Sequence, residues 1–337
     1  MRESLARAVW YGEGFAGLTA RAVLTPAEWV FGAASMLVGS RRAARAGTPQ
    51  VPTVSVGNLT VGGTGKTPIS AWVAAQLARR GKKPALLLRG YGDDETLVHE
   101  RLNPNVPVFA DPERVQSAAR AIEAGAKSLV LDDAFQHRQM PRSADIVLVS
   151  ADLWSNLPAR LLPAGPFREP LEALRRAQFV LVTRKAVPHA RAQQVADRLR
   201  AIVRGVPVGI VHLAPDALMR WSDGESLALD VISGRRVLAI SGIGAPEAFE
   251  SQLRSAGAVE VASAAYADHH AFTDADAHTL SARAAAANFA ICTLKDAVKL
   301  GPRWPTGRAP LWYLSQSVAF EAGAQELHAL LDRLAAH

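Results

Sequence analysis

Val54-Ser-Val-Gly-Asn-Leu-Thr-Val-Gly-Gly-Thr-Gly-Lys-Thr-Pro68 decides the fold. An apolar run rich in β-branched residues predicts a strand, a glycine-rich turn follows, and Pro68 is tolerated in the first turn of a helix because no N–H is needed there. Strand, glycine turn and helix in that order form a loop whose backbone N–H groups cradle phosphates, with the helix N-terminus adding its partial positive charge. In such a loop Thr60, Gly62, Gly63, Thr64, Gly65, Lys66 and Thr67 surround the nucleotide. Lys66 reaches the β- and γ-phosphates, and the Thr67 hydroxyl holds Mg²⁺. The match to G-x-x-x-x-G-K-[ST] departs at one place: Thr60 stands at the first glycine position.

Working outward, short apolar runs alternate with helical patterns. Strands are expected over residues 53–56, 85–88, 107–109, 129–131, 146–149 and 179–182, and helices over 67–80, 112–124 and 190–204. This alternation predicts βαβ units in a mostly parallel sheet with helices on both faces. Continuously apolar strands such as Ser128-Leu-Val-Leu131 fit a sheet covered on both sides. That run ends in Asp132-Asp133, two carboxylates at the edge where open α/β sheets bind ligands, and they are candidate Mg²⁺ organisers.

Texture changes near residue 214. Ser222-Asp-Gly224 is a turn signal inside a stretch, 214–235, that reads as a linking hairpin. A second alternation follows: strand 237–240, helix 246–255, a strand near Val259, helix 273–287, strand 289–292 and a last helix over 320–335. The expected organisation is an N-terminal helical segment over 1–47, a phosphate-loop core over 48–213, the hairpin, and a smaller α/β domain with a C-terminal helix over 236–337.

Bulk properties narrow the partners. The 337 residues are 49% hydrophobic and 20% charged, an ordinary globular composition. The net charge of +7 favours anionic partners. Cys292 is the single cysteine, which excludes a disulfide framework and a cysteine-built zinc site. Zinc spacings, an aromatic RNA motif and a basic helix run are all missing, so a nucleic-acid partner is not expected. No obligate protein partner is inferred. The stretch 23–39 is apolar, carries Trp29, contains Pro26 and Glu28, and is followed by Arg41, Arg42 and Arg45. That pattern suits a helix lying in the headgroup region of a membrane, with an ordinary packed helix as the alternative.

At this point a resemblance becomes specific. The phosphate-loop stretch, Arg89-Gly-Tyr-Gly92, Asp132-Asp-Ala-Phe-Gln-His137, Leu161-Leu-Pro-Ala-Gly-Pro-Phe-Arg-Glu-Pro170, Asp268-His-His270 and Thr293-Leu-Lys-Asp-Ala-Val-Lys299 resemble, in order, the motifs of the tetraacyldisaccharide 4′-kinase family. The resemblance implies transfer of the γ-phosphate of ATP to the 4′-hydroxyl of a tetraacyldisaccharide 1-phosphate, giving lipid IVA in lipid A biosynthesis, with Mg²⁺, at the cytoplasmic face of the inner membrane. It implies a catalytic aspartate and histidine, which fall on Asp94 and His269, with Asn58, Arg89, Gln136, His137 and Arg168 near nucleotide or acceptor.

Two departures stand out. The insert that usually separates Arg-Gly-Tyr-Gly from the aspartate segment is essentially absent, so the sequence reads Gly92-Asp-Asp-Glu-Thr96 and Asp93 rivals Asp94. Ala134 replaces a glycine.

Other readings of the residues stay open. A nucleotide switch would need the phosphate loop but no acceptor, and a soluble small-molecule kinase would not need the N-terminal helix. Asp268, His269 and His270 could form a weak zinc site, and Lys295 and Lys299 could share a helix face for a phosphate.

Overall fold

The computed structural model describes residues 2–12, 14–90, 93–244 and 246–336, with the side chains of 2–5, 7 and 93 outside the description. In chain order the elements are α1 (Arg2–Tyr11), α2 (Phe15–Ala44), β1 (Thr53–Asn58), α3 (Lys66–Arg79), β2 (Pro84–Leu88), α4 (Asp93–Leu102), β3 (Val108–Ala110), α5 (Arg114–Glu123), β4 (Ser128–Asp132), β5 (Ala144–Ser150), β6 (Phe179–Arg184) and α6 (His189–Ile202). They continue as β7 (Val208–Arg220), β8 (Ser226–Ala228), β9 (Arg236–Ser241), α7 (Pro246–Ser255), β10 (Glu260–Ala265), α8 (Asp274–Ala284), β11 (Phe289–Thr293), α9 (Leu294–Leu300), β12 (Leu311–Ala322) and α10 (Ala324–Ala335).

The chain forms two compact units. The first holds residues 1–91, 103–212 and 319–337, and the second holds 92–102 and 213–318. Each unit is threaded more than once, and α4 belongs to the second unit although it lies early in the sequence.

In the first unit the strands run β7-β6-β5-β1-β4-β2-β3, and every pair is parallel. β1, β2, β4 and β5 are buried along their whole length. Strands covered by helices on both faces are mostly apolar, and the buried polar residues in these, Ser55, Asn58, Ser128, Asp132, Asp145 and Ser150 among them, are the exceptions. One apolar layer joins Val147, Val180 and Val182 to Val195 and Leu199 of α6. Another joins Leu87, Leu129 and Leu131 to Ala118 and Ala121 of α5. The expected phosphate-loop core with a mostly parallel sheet is thus present.

The second unit carries a smaller parallel sheet, β10-β9-β11-β12. The end of β7 pairs antiparallel with β8 from Ala217↔Ala228 to Met219↔Ser226, which makes a hairpin across the turn expected there. Apolar layers lie on both sides of this sheet as well: Leu280 and Phe272 on one, Phe249 and Leu253 on the other. Cys292 is buried, as its apolar neighbourhood predicts.

Several elements differ from the sequence expectation. The last helix starts at Ala324 rather than residue 320, because Phe320–Ala322 finish β12 and Gly323 takes a left-handed φ of 78°. A side chain at Gly323 would come within 2.6 Å of the Gly209 backbone, so only glycine fits that corner. The long strands β7 and β12 and the helix α4 carried no expectation. α2 extends the expected apolar stretch in both directions, through Pro26, to 30 residues.

α2 is long and apolar enough to cross a membrane by length and composition. At 1.5 Å per residue it measures about 45 Å. Trp29, Val30 and Met36 are exposed on it.

Candidate active site

β1 ends at Asn58 and α3 begins at Lys66, so residues 59–65 form the turn between them. Gly62 has φ 110° and Gly65 φ 88°, values that L side chains resist, and Gly65 caps α3. The turn is tied down from several directions. The Asn58 amide donates to the Thr64 hydroxyl at 2.9 Å. The Thr183 hydroxyl donates to the Thr64 carbonyl at 2.9 Å. Lys185 Nζ donates to the Gly63 carbonyl at 3.3 Å. Val61 N–H donates to the Pro166 carbonyl at 2.9 Å, Arg168 N–H donates to the Leu59 carbonyl at 2.6 Å, and Thr60 bridges to Phe167.

β4 pairs directly with β1, Val56 opposite Asp132, so the two aspartates at the end of β4 sit beside the loop. Asp132 is buried, while Asp133 turns out of the strand with φ 47°. Among the described residues only Asp133 and His269 are non-glycine residues with positive φ, and both are site candidates. Such conformations cost about 1–3 kcal/mol and persist where the surroundings hold them.

Lys66 Nζ lies 3.9 Å from Asp133 Oδ1, and Arg168 Nη2 lies 2.8 Å from the same oxygen. Arg168 also donates to the Asn58 side chain, so one guanidinium joins β1 to the β4 loop. Burial would raise the Asp133 carboxyl, but Lys66, Arg168 and Arg114 outweigh it and hold it below the ordinary carboxylate value. Gln136 donates from Nε2 to the Asn58 carbonyl at 2.9 Å. Arg168, Gln136, Asn58 and Asp133 are therefore brought together around Lys66. His137 stands half-buried among cations, and its imidazole is pulled down to about 4, first by burial and then by Arg114, Arg42, Arg142 and Arg89. Arg89 is exposed just beyond the end of β2. The Ala134 methyl, where the resembling motif has glycine, is fully buried in the α5-side apolar layer.

Thr67, Asp132 and Asp133 present one hydroxyl and two carboxylates, hard oxygen donors of the type that suits Mg²⁺ shared with substrate phosphates. The described residues include no cluster of three or more His, Cys, Asp or Glu that could hold a metal. His270 instead pairs with Asp276 at 3.2 Å and stacks on Tyr266 at 4.5 Å between centroids.

In the second unit Asp94 sits in the first turn of α4, 8% exposed. Its Oδ2 is 3.4 Å from Nδ1 of His269. His269 holds φ 57°, its N–H donating to the Gly242 carbonyl at 3.1 Å and to Asp268 Oδ1 at 3.1 Å. Just beyond it, Thr273 and Asp276 form a reciprocal cap on α8 that fixes the loop. The rival Asp93 has its side chain outside the described residues, as do Tyr91 and Gly92. Lys299 is occupied by Asp296 at 3.5 Å and lies over the Phe272 ring.

Sequence reading missed Arg114, Thr183 and Lys185. Arg114, 2% exposed, donates to the backbone carbonyls of both Asp132 and Asp133. Thr183 is the penultimate residue of β6, and Lys185 follows the strand in a turn where Asp152 accepts the N–H groups of Lys185, Ala186 and Val187. The signal for Thr183 and Lys185 was available: Val182-Thr-Arg-Lys185 closes an apolar strand, the edge where α/β sheets bind ligands.

Comparison with known proteins extends the geometry. The family profile described as "LpxK: Tetraacyldisaccharide-1-P 4'-kinase" matches residues 20–336. The tetraacyldisaccharide 4'-kinase of Anaeromyxobacter dehalogenans (strain 2CP-C) is 40% identical over 336 residues, covering 88% of this chain and 86% of the relative. That of Halorhodospira halophila (strain DSM 244 / SL1) is 34% identical over 343 residues, covering 94% and 95%. Among solved structures, LpxK from Aquifex aeolicus, crystallised in complex with ATP, superposes with a TM-score of 0.74 at 26% identity, covering 93% of this chain and 99% of that one.

Proposed function

The chain belongs to the tetraacyldisaccharide-1-P 4′-kinase family, and from that premise we propose that it transfers the γ-phosphate of ATP to the 4′-hydroxyl of a tetraacyldisaccharide 1-phosphate, giving lipid IVA in lipid A biosynthesis. One observation carries the reading: β1 delivers a glycine-rich loop to the start of α3, with Lys66 at the helix N-terminus and the carboxylates of neighbouring β4 beside it.

In this reading residues 60–67 hold the triphosphate of ATP through backbone N–H groups, and Lys66 neutralises the β- and γ-phosphates. Thr67, Asp132 and Asp133 would hold Mg²⁺, which would supply charge neutralisation on the phosphates. Asp94 accepts the proton of the attacking 4′-hydroxyl, and His269, 3.4 Å away, orients the carboxylate. The new bond joins the 4′-oxygen to the γ-phosphorus, the bond from γ-phosphorus to the β-bridging oxygen breaks, and ADP leaves with that electron pair. Asn58, Gln136 and Arg168 hold the loop and Asp133 in register, and Arg89 and His137 lie toward nucleotide or acceptor.

The exposed apolar residues of α2 and the basic Arg41, Arg42 and Arg45 at its end support a place at the cytoplasmic face of the inner membrane, where a lipid acceptor is presented.

The test is phosphate transfer from labelled ATP to tetraacyldisaccharide 1-phosphate in mixed micelles, with Lys66→Ala as control. Label on the lipid with wild type and none with the variant is the expected result. Folded wild type that binds ATP but leaves the lipid unlabelled would overturn the assignment of acceptor.

A further inference from the structure

A helix on a globular surface buries its apolar side, yet α2 does the reverse. Phe15, Val23, Trp29, Val30 and Met36 are 69–83% exposed, while the buried residues of α2 are Gly17, Arg21 and Glu28. A carboxylate in the middle of an apolar helix is costly unless charged partners meet it. Glu28 is met fully. Its Oε1 accepts the Leu161 N–H at 2.7 Å, and its Oε2 accepts Arg160 Nε at 2.7 Å. Arg160 Nη2 also donates to the Thr25 hydroxyl at 2.7 Å.

The contacts continue beyond Arg160. Phe167 N–H donates to the Arg160 carbonyl at 3.2 Å, and Leu162 N–H to the Phe167 carbonyl at 2.9 Å, so residues 160–168 fold back on themselves. Gly165 makes this possible, since a Cβ there would lie 2.3 Å from the Arg160 carbonyl oxygen. The far side of this fold is the one that grips the phosphate loop: the Pro166 carbonyl receives Val61 N–H, and Arg168 N–H reaches the Leu59 carbonyl. The Arg168 side chain then holds Asp133, which faces Lys66. Every step from Glu28 to Lys66 is a hydrogen bond, an ion pair or a covalent turn of this short fold.

We propose that Glu28 and Arg160 are positioning residues for the phosphate loop: the apolar helix α2 braces the 160–168 fold, and that fold sets the loop geometry on which ATP affinity depends. Charge-assisted hydrogen bonds are the strong and directional kind, which suits a brace. The proposal rests on the reading that residues 60–67 hold ATP.

The experiment measures the Kd for Mg-ATP by displacement of a fluorescent ATP analogue from the full chain in detergent micelles. Wild type, Lys66→Ala, Glu28→Ala, Arg160→Ala and the double variant Glu28→Ala with Arg160→Ala are compared well below their thermal midpoints. Glu28→Ala is expected to weaken Mg-ATP by about tenfold, a size ordinary for coupling through a packed network, and the double variant to weaken it no further than the worse of the two single variants, because both break one linkage. A purely structural role for Glu28 would lower the thermal midpoint and leave Kd alone. Should Glu28→Ala not fold, Glu28→Gln keeps the shape and is expected to weaken binding about threefold. An unchanged Kd in the folded single variants, or a double variant whose loss is the product of the two single losses, overturns the brace. Equal binding by wild type and Lys66→Ala would instead overturn the ATP-loop reading, and the brace with it.

Discussion

Asp94 and His269, 175 positions apart, meet at 3.4 Å, with the aspartate buried in the first turn of α4 and the histidine exposed on a loop at φ 57°. An imidazole held beside a buried carboxylate fixes that carboxylate's orientation without closing it to a substrate hydroxyl. Asp94→Asn is expected to lower kcat about a hundredfold or more while leaving the KM for ATP unchanged. His269→Ala is expected to lower kcat less, and the double variant no further than Asp94→Asn alone. Steady-state kinetics in mixed micelles checks both, and full activity in Asp94→Asn would transfer the role to another group, Asp93 first.

Arg168 joins Asn58 to Asp133 with one planar group. A lysine keeps the charge but not the fork. Hydrogen bonds to charged groups are worth about 1.5–3 kcal/mol, so Arg168→Lys is expected to reduce kcat/KM for ATP about tenfold or more. Unaltered kcat/KM would show that the charge alone suffices.

His137 is neutral at pH 7 because burial, with Arg114, Arg42, Arg142 and Arg89, holds its imidazole near about 4. The unfolded chain takes up a proton near its ordinary value of about 6.5, whereas the folded chain waits until about 4. Between those values the unfolded state binds more protons, so this residue's contribution to stability falls as pH falls and levels off below 4. Wild type should lose thermal stability relative to His137→Gln as pH drops from 6.5 to 4. Parallel melting curves for the two proteins across that range would refute it.

Gly57 in β1 lies against the Asp132–His137 turn, where a Cβ would stand 2.7 Å from Phe135 Cβ and 2.8 Å from its backbone nitrogen. Neither atom is a flexible chain end, so the turn itself must shift. Gly57→Ala should cost about 1–3 kcal/mol, read as a lower urea midpoint. It should also impair ATP binding, because the displaced turn carries Asp133 and Gln136.

Charging the exposed side of α2 tests its engagement with lipid. Trp29→Glu with Val30→Glu places two carboxylates on residues 71% and 70% exposed, away from Glu28 and Arg160. Sedimentation with phosphatidylethanolamine–phosphatidylglycerol vesicles should show lost binding, and ATP affinity in solution should stay the same. Continued sedimentation would place the lipid contact elsewhere.

Local patterns were readable because local physics made them. The phosphate loop needs glycines at fixed left-handed positions before a helix start, and the parallel strands need mostly apolar runs to lie between two helix layers. So β1 with α3, the strands β2, β4, β5 and β6, and helix Pro246–Ser255 could be read directly, as could the candidacy of Lys66, Asp132 and Asp133. β7 could not, because Pro215 and Asp216 interrupt its pattern and read as loop. β12 runs into residues that favour helix, and its end is set by the close approach of Gly209 and Gly323. α4 has too few apolar residues to show a stripe; Val98 is buried on it, while Leu97 and Leu102 stay exposed.

The sequence by itself therefore determined the phosphate loop, the sheet type and the unusual apolar N-terminal stretch, since each rests on neighbours along the chain. Only the tertiary structure decided that α4 joins the second unit and sets Asp94 against His269, that Arg114 pins both aspartate carbonyls, and that Glu28 answers Arg160. Those pairings join residues 18 to 175 positions apart, and no periodicity along a chain encodes which distant partner a buried charge will meet.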